Sequence, residues 1–315
     1  MRGARSSSSR RPGERSSKLS EAPAERVRCL VCRSADARRL YELTLFSIYR
    51  CGSCGQVYQH PLPTEAEIRE LFAQLYTTGE GSVPELRDYY GFCYEDDAGN
   101  PLVQLYERWL DRLEARVRPG RLLDIGCGTG LFLQVARRRG WEPYGVDECE
   151  EALDYARSKF GLEVAQGEFS ELPLGGRRFD AITLWDIVEH AREPVALLAE
   201  VRRRLAPGGV VGLSTPNQRS ILEAVAGPLY RMTGGRLRAP LEKFYIEQHF
   251  LYFTPETLRG ALARAGLEAV ELRRELTDLR RLHLEPAKRL LLRTLFLLAR
   301  ATGLENRLFA VARAA

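Results

Sequence analysis

The fold of this chain is decided at Leu122-Leu123-Asp124-Ile125-Gly126-Cys127-Gly128-Thr129-Gly130. An apolar strand runs into a glycine-rich turn, and a helix begins near Leu131. Glycines at alternate positions let the backbone bend sharply and let a ligand approach without a Cβ in the way. The helix N-terminus behind such a turn favours a negatively charged ligand group. The next strand, Tyr144-Gly145-Val146-Asp147, ends on an acid. In a βαβ unit that end lies beside the turn, where a carboxylate can accept hydrogen bonds from both hydroxyls of a ribose.

Working outward, apolar strands alternate with helices from Arg121 onward. RLLDIG is followed by a helix, then EPYGVD, a helix through Ala152, LEVAQG and FDAITLWD. A helix near Pro194–Leu205 ends at Pro207-Gly208-Gly209, and the strand VVGLST follows. Such alternation predicts a parallel sheet with helices on both faces. The C-terminal part adds a helix near Pro255–Ala265, a strand LEAVELR, a long helix near Pro286–Thr302 and a last strand, RLFAVAR. Upstream, Thr64 stands three residues before Glu67, and Ile68, Leu71, Phe72 and Leu75 follow at helical spacing, a capping box and an amphipathic helix. A second amphipathic helix is expected over Leu102–Val117.

Two CxxC pairs, Cys29/Cys32 and Cys51/Cys54, are separated by 18 intervening residues. Each CxxC turn aims two thiolates at one point, and two such knuckles build the four-sulfur tetrahedron that zinc accepts. Gly55 suits a backbone leaving the second knuckle at positive φ. Two disulfides would need an oxidising compartment, and a redox CxxC would open a helix, whereas these pairs flank the strand-like runs SIYRC and QVYQH. Four protein ligands make a closed, structural Zn2+ site, whose binding energy would fold a patch too small to build its own core.

The glycine turn departs from a dinucleotide fingerprint, because the third glycine of GxGxxG would fall at Leu131. The pattern DxGxGxG resembles the class I S-adenosylmethionine-dependent methyltransferases. Three further segments strengthen the resemblance. Gly167-Glu168-Phe169-Ser170 looks like the family segment that meets adenine, Asp186-Ile187-Val188-Glu189-His190 is similar to the D-x-x-E-H run of ubiquinone-pathway-like methyltransferases, and Pro207-Gly208-Gly209 looks like the turn before the fifth strand. The resemblance implies an α/β fold: a Rossmann-like seven-stranded mixed sheet with helices on both faces, its last strand (307–313) inserted antiparallel. It implies S-adenosyl-L-methionine held by Asp124, Gly126, Gly128, Gly130, Asp147, Glu168 and Phe169. Asp124 and the loop amides would orient the amino-acid end, Asp147 the ribose and Glu168 the adenine edge. The cysteine quartet, a helical linker and then this core together resemble bacterial enzymes with an N-terminal zinc ribbon. In those, the acceptor is a small molecule such as a sugar, a polysaccharide precursor or a secondary metabolite.

Methyl transfer to a hydroxyl is helped by a base. Of the four histidines, His190 lies after the fourth strand of the core, where such sheets bind ligands, and is the first candidate. The alternative is that Glu189-His190 only organises a helix start. His249, in EQHFLYF, is the second candidate, from an insertion that would lie over the site. Tyr89 and Tyr90 belong to a glycine-bearing segment that either closes over the cofactor or packs beneath a loop.

The chain has 315 residues, 47 basic and 42 acidic. Residues 1–28 hold eight of the basic and three of the acidic ones, so the remainder balances at 39 each and the net +5 belongs to the tail. That distribution argues against a nucleic-acid partner. The strand end Trp185-Asp186-Ile187 also lacks the N/D-P-P-Y run of amino-base methyltransferases. An RNA methyltransferase, and a zinc-scaffolded binding protein with a decayed pocket, are the competing readings. The opening MRGARSSSSRRPGERSS carries charge but no apolar segment, so a cytoplasmic location is expected. The helix near Arg289–Arg300, rich in leucine and flanked by arginine, either packs as a lid or makes peripheral contact with a lipid-linked substrate. The expected organisation is a disordered basic tail (1–27), a zinc ribbon (28–62), a helical linker and cofactor-closing segment (63–118), and the methyltransferase domain (119–315).

Overall fold

The computed structural model describes residues 27–77, 91–172 and 174–315. The tail before residue 27, Tyr89 and Tyr90 lie outside the described residues.

A seven-stranded sheet is built from β4 (Arg121–Ile125), β5 (Glu142–Asp147), β6 (Glu163–Gln166), β7 (Phe179–Trp185), β8 (Leu205–Pro216), β10 (Leu267–Glu275) and β11 (Arg307–Ala314). Its order is β10-β11-β8-β7-β4-β5-β6. Strands β4 to β8 run parallel, and β11 lies antiparallel to both β8 and β10. The central β7, FDAITLW, is apolar on both faces because helices cover both. On one face Leu123, Ile125, Ile182 and Leu184 pack in a core that Leu198 and Val201 of α5 (Pro194–Arg204) help to close. On the other, Leu122 and Ala181 meet Trp109 and Leu113 of α2 (Pro101–Glu114) and Leu133 of α3 (Leu131–Arg138). The Trp109 indole stacks on Trp185 with ring centroids 4.4 Å apart.

The expected elements of the core are all present, with local differences. Helix α5 stops at Arg204, and Pro207-Gly208-Gly209 lies inside β8 rather than forming a free turn. The β7–β8 register slips there, from Phe179↔Leu205 to Ala181↔Val210, so the glycines absorb a bulge.

The cysteine-bearing segment holds three strands, not two: β1 (Ala37–Glu42), β2 (Ser47–Cys51) and β3 (Val57–His60). β1, sequence ARRLYE, escapes the sequence pattern because only Tyr41 is buried on it. The fourth strand of this small sheet, β9 (Leu251–Tyr252), comes from the insertion after β8. The ribbon is therefore not an independent bead. Cys29, Val31, Cys51 and Tyr58 share one apolar core with the large sheet. On the other side Tyr41, Ile48 and Val57 pack on Ala226 of α6 (Ile221–Met232), Leu241 of α7 (Ala239–Glu242) and Tyr245.

Helix α1 (Glu65–Thr77) begins at the expected capping box: the Thr64 N–H donates to Glu67 Oε2 at 2.8 Å, and the Glu67 N–H donates to Thr64 Oγ1 at 3.2 Å. The remaining helices are α4 (Glu150–Phe160), α8 (Pro255–Arg264) and α9 (Pro286–Thr302). Among the described residues, no helix is long and apolar enough to cross a membrane.

Candidate functional site

β4 delivers the glycine turn to the C-terminal edge of the sheet. Gly126, Gly128 and Gly130 sit at φ 73°, 49° and 76°, a sequence of left-handed residues that side chains with a Cβ would strain. At Gly126 a Cβ would also stand 2.0 Å from Ile187 Cδ1, so the turn after β7 packs directly on the glycine turn. Gly126 and Cys127 both donate their N–H to Val146 O. Gly128 donates to Asp147 Oδ2 at 2.8 Å, and Cys149 donates to Asp147 Oδ1 at 2.9 Å. Two backbone donors thus pin the carboxylate at the end of β5. Burial pushes the Asp147 carboxyl above its ordinary range, against these two bonds.

Asp124 lies deeper, 2% exposed, with Oδ1 accepting from Thr183 Oγ1 at 2.6 Å across to β7. Burial raises its carboxyl to about 8, with Thr183 opposing and Asp147 adding to the rise. At the end of β6, Glu168 is exposed and Phe169 is buried in the core. Glu148, which sequence reasoning passed over, sits close enough to Glu168 that burial and this second carboxylate raise its carboxyl. The 3-10 turn Gly91–Tyr94 docks on the glycine turn, where Thr129 Oγ1 donates to Cys93 O at 2.6 Å. Cys127 is buried against Gly145, and burial pushes its thiol up, the environment of a packing residue.

The second half of the site follows β7. Asp186 adopts φ 59°, an unusual conformation for a residue with a Cβ, and accepts from Ser214 Oγ at 2.8 Å and from Arg307 of β11. Burial works to raise its carboxyl, but the Arg307 guanidinium and the Ser214 hydroxyl hold it below the usual value. Glu189 is wholly buried, and neither of its carboxyl oxygens makes a close hydrogen bond among the described residues. Burial, and then the neighbouring Asp186, push its carboxyl well above the ordinary carboxylate range.

The sheet brings both candidate histidines together. The His190 and His249 rings meet edge to face at 4.8 Å. One ligating atom each of Glu189, His190 and His249 lies within 4.8 Å of the others. His190 Nδ1 lies 2.6 Å from Gln248 O, which assigns the proton to Nδ1 and leaves Nε2 as the basic nitrogen. Burial lowers both imidazoles below their ordinary value, His249 further because His190 adds to the effect, and both are neutral at pH 7. Phe72 of α1 covers His190 edge to face at 5.4 Å, a role that its place on an amphipathic helix did not announce.

The four cysteines converge at the other end of the ribbon. Cys29 and Cys54 Sγ are 3.6 Å apart, Cys32 and Cys51 Sγ 3.5 Å, and all four lie within 4.8 Å of one another. Zinc–sulfur bonds of about 2.3 Å imply sulfur–sulfur edges of roughly 3.8 Å, so the cage fits a tetrahedral ion. None of the four forms a disulfide. Gly55 sits at φ 77° as expected, and Arg33 takes the matching position of the first knuckle at φ 62°.

The sheet order and the loop placement define a class I S-adenosylmethionine-dependent methyltransferase fold. The chain belongs to the family described as Methyltransferase domain, which matches residues 101–272. The ubiquinone biosynthesis O-methyltransferase of Dinoroseobacter shibae is 34% identical over 158 residues, covering 48% of this chain and 61% of that protein. Its counterpart in Alkalilimnicola ehrlichii is 36% identical over 152 residues, covering 45% of this chain and 60% of that protein. The match thus spans about three fifths of these relatives' length. Magnesium protoporphyrin IX methyltransferase from Synechocystis PCC 6803, solved with bound SAH, superposes with a TM-score of 0.52 at 15% identity, covering 80% of this chain and all of that one. That likeness shows the fold.

Proposed function

We propose that this protein transfers a methyl group from S-adenosylmethionine to a hydroxyl of a small organic acceptor, with His190 as the base. The observation that carries this reading is the packing of Ile187 on Gly126, which sets the Asp186–His190 turn beside the glycine turn that Asp147 flanks. The donor set fits the cofactor. Asp147 keeps acceptor capacity on both oxygens for a pair of hydroxyls, and the glycine turn exposes backbone rather than side chain. Glu168, with Glu148 beside it, would meet the adenine amino group, and Phe169 would back that pocket. The turn's own N–H groups at Gly126, Cys127, Gly128 and Gly130 already have acceptors, so the first turn of α3 supplies donors for the amino-acid end.

When bound, the sulfonium supplies an electrophilic methyl and leaves as a neutral thioether. The protein's work is then to position the acceptor oxygen and take its proton. His190, neutral, with Nδ1–H anchored on Gln248 O, presents Nε2 for that proton. Phe72, the buried Glu189 and His249 keep the base out of bulk water.

Oxygen as the methylated atom is supported by the O-methyltransferase relatives, and a sugar, polysaccharide precursor or secondary metabolite by the ribbon-plus-core layout. Helix α9 leaves Leu290, Leu291, Leu297 and Leu298 exposed beside Lys288, Arg293 and Arg300, chemistry that suits a lipid-linked acceptor. The cysteine cage is read as a structural Zn2+ site held by Cys29, Cys32, Cys51 and Cys54.

Calorimetric titration with S-adenosylmethionine tests the reading. Binding in the micromolar range is expected for the wild type, and Asp147→Ala should weaken it by about a hundredfold while circular dichroism stays unchanged. Equal affinity of the folded variant would remove Asp147 from the pocket.

A further inference from the structure

The ribbon's β3 does more than close a small sheet. Val57 and Tyr58 pair with Tyr252 and Leu251 of β9, and that pairing stops after two residues. Beyond it the ribbon keeps its hold through Gln59. Its N–H donates to Phe250 O at 3.0 Å, and its Nε2 donates to Glu247 O at 2.9 Å. Gln59 is 1% exposed, a polar side chain buried where a strand would ordinarily place an apolar one. It satisfies a carbonyl that the short strand leaves without a ladder partner.

The opposite side of the same stretch is gripped by the turn after β7. The Phe250 N–H donates to Glu189 O at 2.8 Å, and His190 Nδ1 donates to Gln248 O at 2.6 Å. Residues 247–250 are therefore clamped between the ribbon and the turn that carries the base, and His249 lies inside the clamp.

Resting on the methyltransferase reading above, we infer that Gln59 is a positioning residue that sets His249 against His190, so that the cysteine ribbon forms one wall of the acceptor site. The groups that face His249 are His190, Glu189 and Asp186 from the turn after β7, Arg307 from β11 and Tyr252 from β9. Gln59 carries no charge itself. Its side chain acts through the Glu247 carbonyl, and with the backbone N–H that holds Phe250 O it fixes the path of 247–250. Misplacing a reacting or shielding group by about 1 Å can cost up to a hundredfold in rate.

The experiment compares the metal-loaded wild type with Gln59→Met and Gln59→Glu, both of similar length and neither able to donate as the amide does. The first readout is the pH titration of the His249 ring by nuclear magnetic resonance, which needs neither cofactor nor acceptor. Its midpoint is expected to rise toward the ordinary histidine value in both variants as the clamp loosens. With an acceptor in hand, kcat should fall about tenfold, with the KM for S-adenosylmethionine within twofold. An unchanged His249 titration in a folded variant overturns the inference. The second readout uses the wild type alone, by amide hydrogen exchange before and after a chelator strips the metal. Exchange at 247–253 is expected to rise together with that of the ribbon, and protection that survives stripping overturns the inference even where neither variant folds. If S-adenosylmethionine fails to bind the wild type, the methyltransferase reading fails instead, and the two outcomes stay distinguishable.

Discussion

The glycine turn and the histidine pocket share one edge of the sheet, but they draw on the chain in different ways. Asp124, the three glycines and Asp147 come from one strand–helix–strand unit, tied by contacts such as Gly128 N–H to Asp147. The pocket collects Gln59 from the ribbon, Phe72 from α1, Asp186–His190 after β7, His249 from an insertion and Arg307 from the last strand. The first is a local device, whose geometry follows once one unit folds. The second exists only after the whole molecule has closed. A change at a distance should therefore reach the pocket before it reaches the turn.

Metal removal should separate them most strongly. On the reading of the cage as a structural Zn2+ site, Cys51→Ser leaves three thiols where four are needed, and loss of that ion is expected, with a stability loss of several kcal/mol. Because Cys51 shares a core with the sheet, the damage should extend to the stretch that carries His249. Elemental analysis and thermal melts check this: a variant that keeps one metal per chain would remove Cys51 from the metal site, and one that loses the metal but keeps its melting point would show that the ribbon does not depend on the ion.

His190→Gln should be next in size. A kcat loss of about a hundredfold is expected, with affinity for S-adenosylmethionine unchanged, because His190 is not among the groups assigned to the cofactor. The pH dependence gives the sign. A base lowered by burial is needed neutral, so activity should hold as pH falls to 6.5 and drop only below it. Stability behaves differently: the unfolded histidine takes up its proton near 6.5, so the native state begins to lose stability there as pH falls. An acid limb centred above 6.5 would dismiss His190 as the base.

The smallest effect belongs to Asp124→Asn. With the native carboxyl raised to about 8 and the unfolded one near 4, the folded protein binds more protons between these values. Stability should then fall as pH rises from about 4 to 8, and the neutral amide should flatten that slope. A gain on the order of 1–3 kcal/mol at pH 8 is expected, read by urea denaturation. An unaltered slope would mean that the carboxyl is ionised beside Thr183.

Most of the turn could be read directly. Positive φ at three glycines and an acid at a strand end are demands that the backbone makes on residue type, and such demands show in a linear sequence. The cysteine cage was legible for the same reason, since thiol spacing sets where a knuckle can point. β1 was missed because its charged residues leave too few apolar positions to mark a strand, and β9 because two residues show no period. Glu148 gave no signal beyond its charge, and its raised carboxyl comes from burial and from facing Glu168. The Pro207-Gly208-Gly209 motif was visible, but only strand pairing shows that it is a bulge within β8.

By itself, the sequence determined the layered α/β architecture, the glycine turn with its two acids and the cysteine ribbon, because each rests on local periodicity or on a residue type that the backbone requires. Only the tertiary structure decided that His190 and His249 meet, that Glu189 is buried between charges, and that the ribbon reaches the pocket through Gln59. Those facts depend on contacts between segments far apart in the chain, and burial and electrostatic environment come into being only when such segments close on one another.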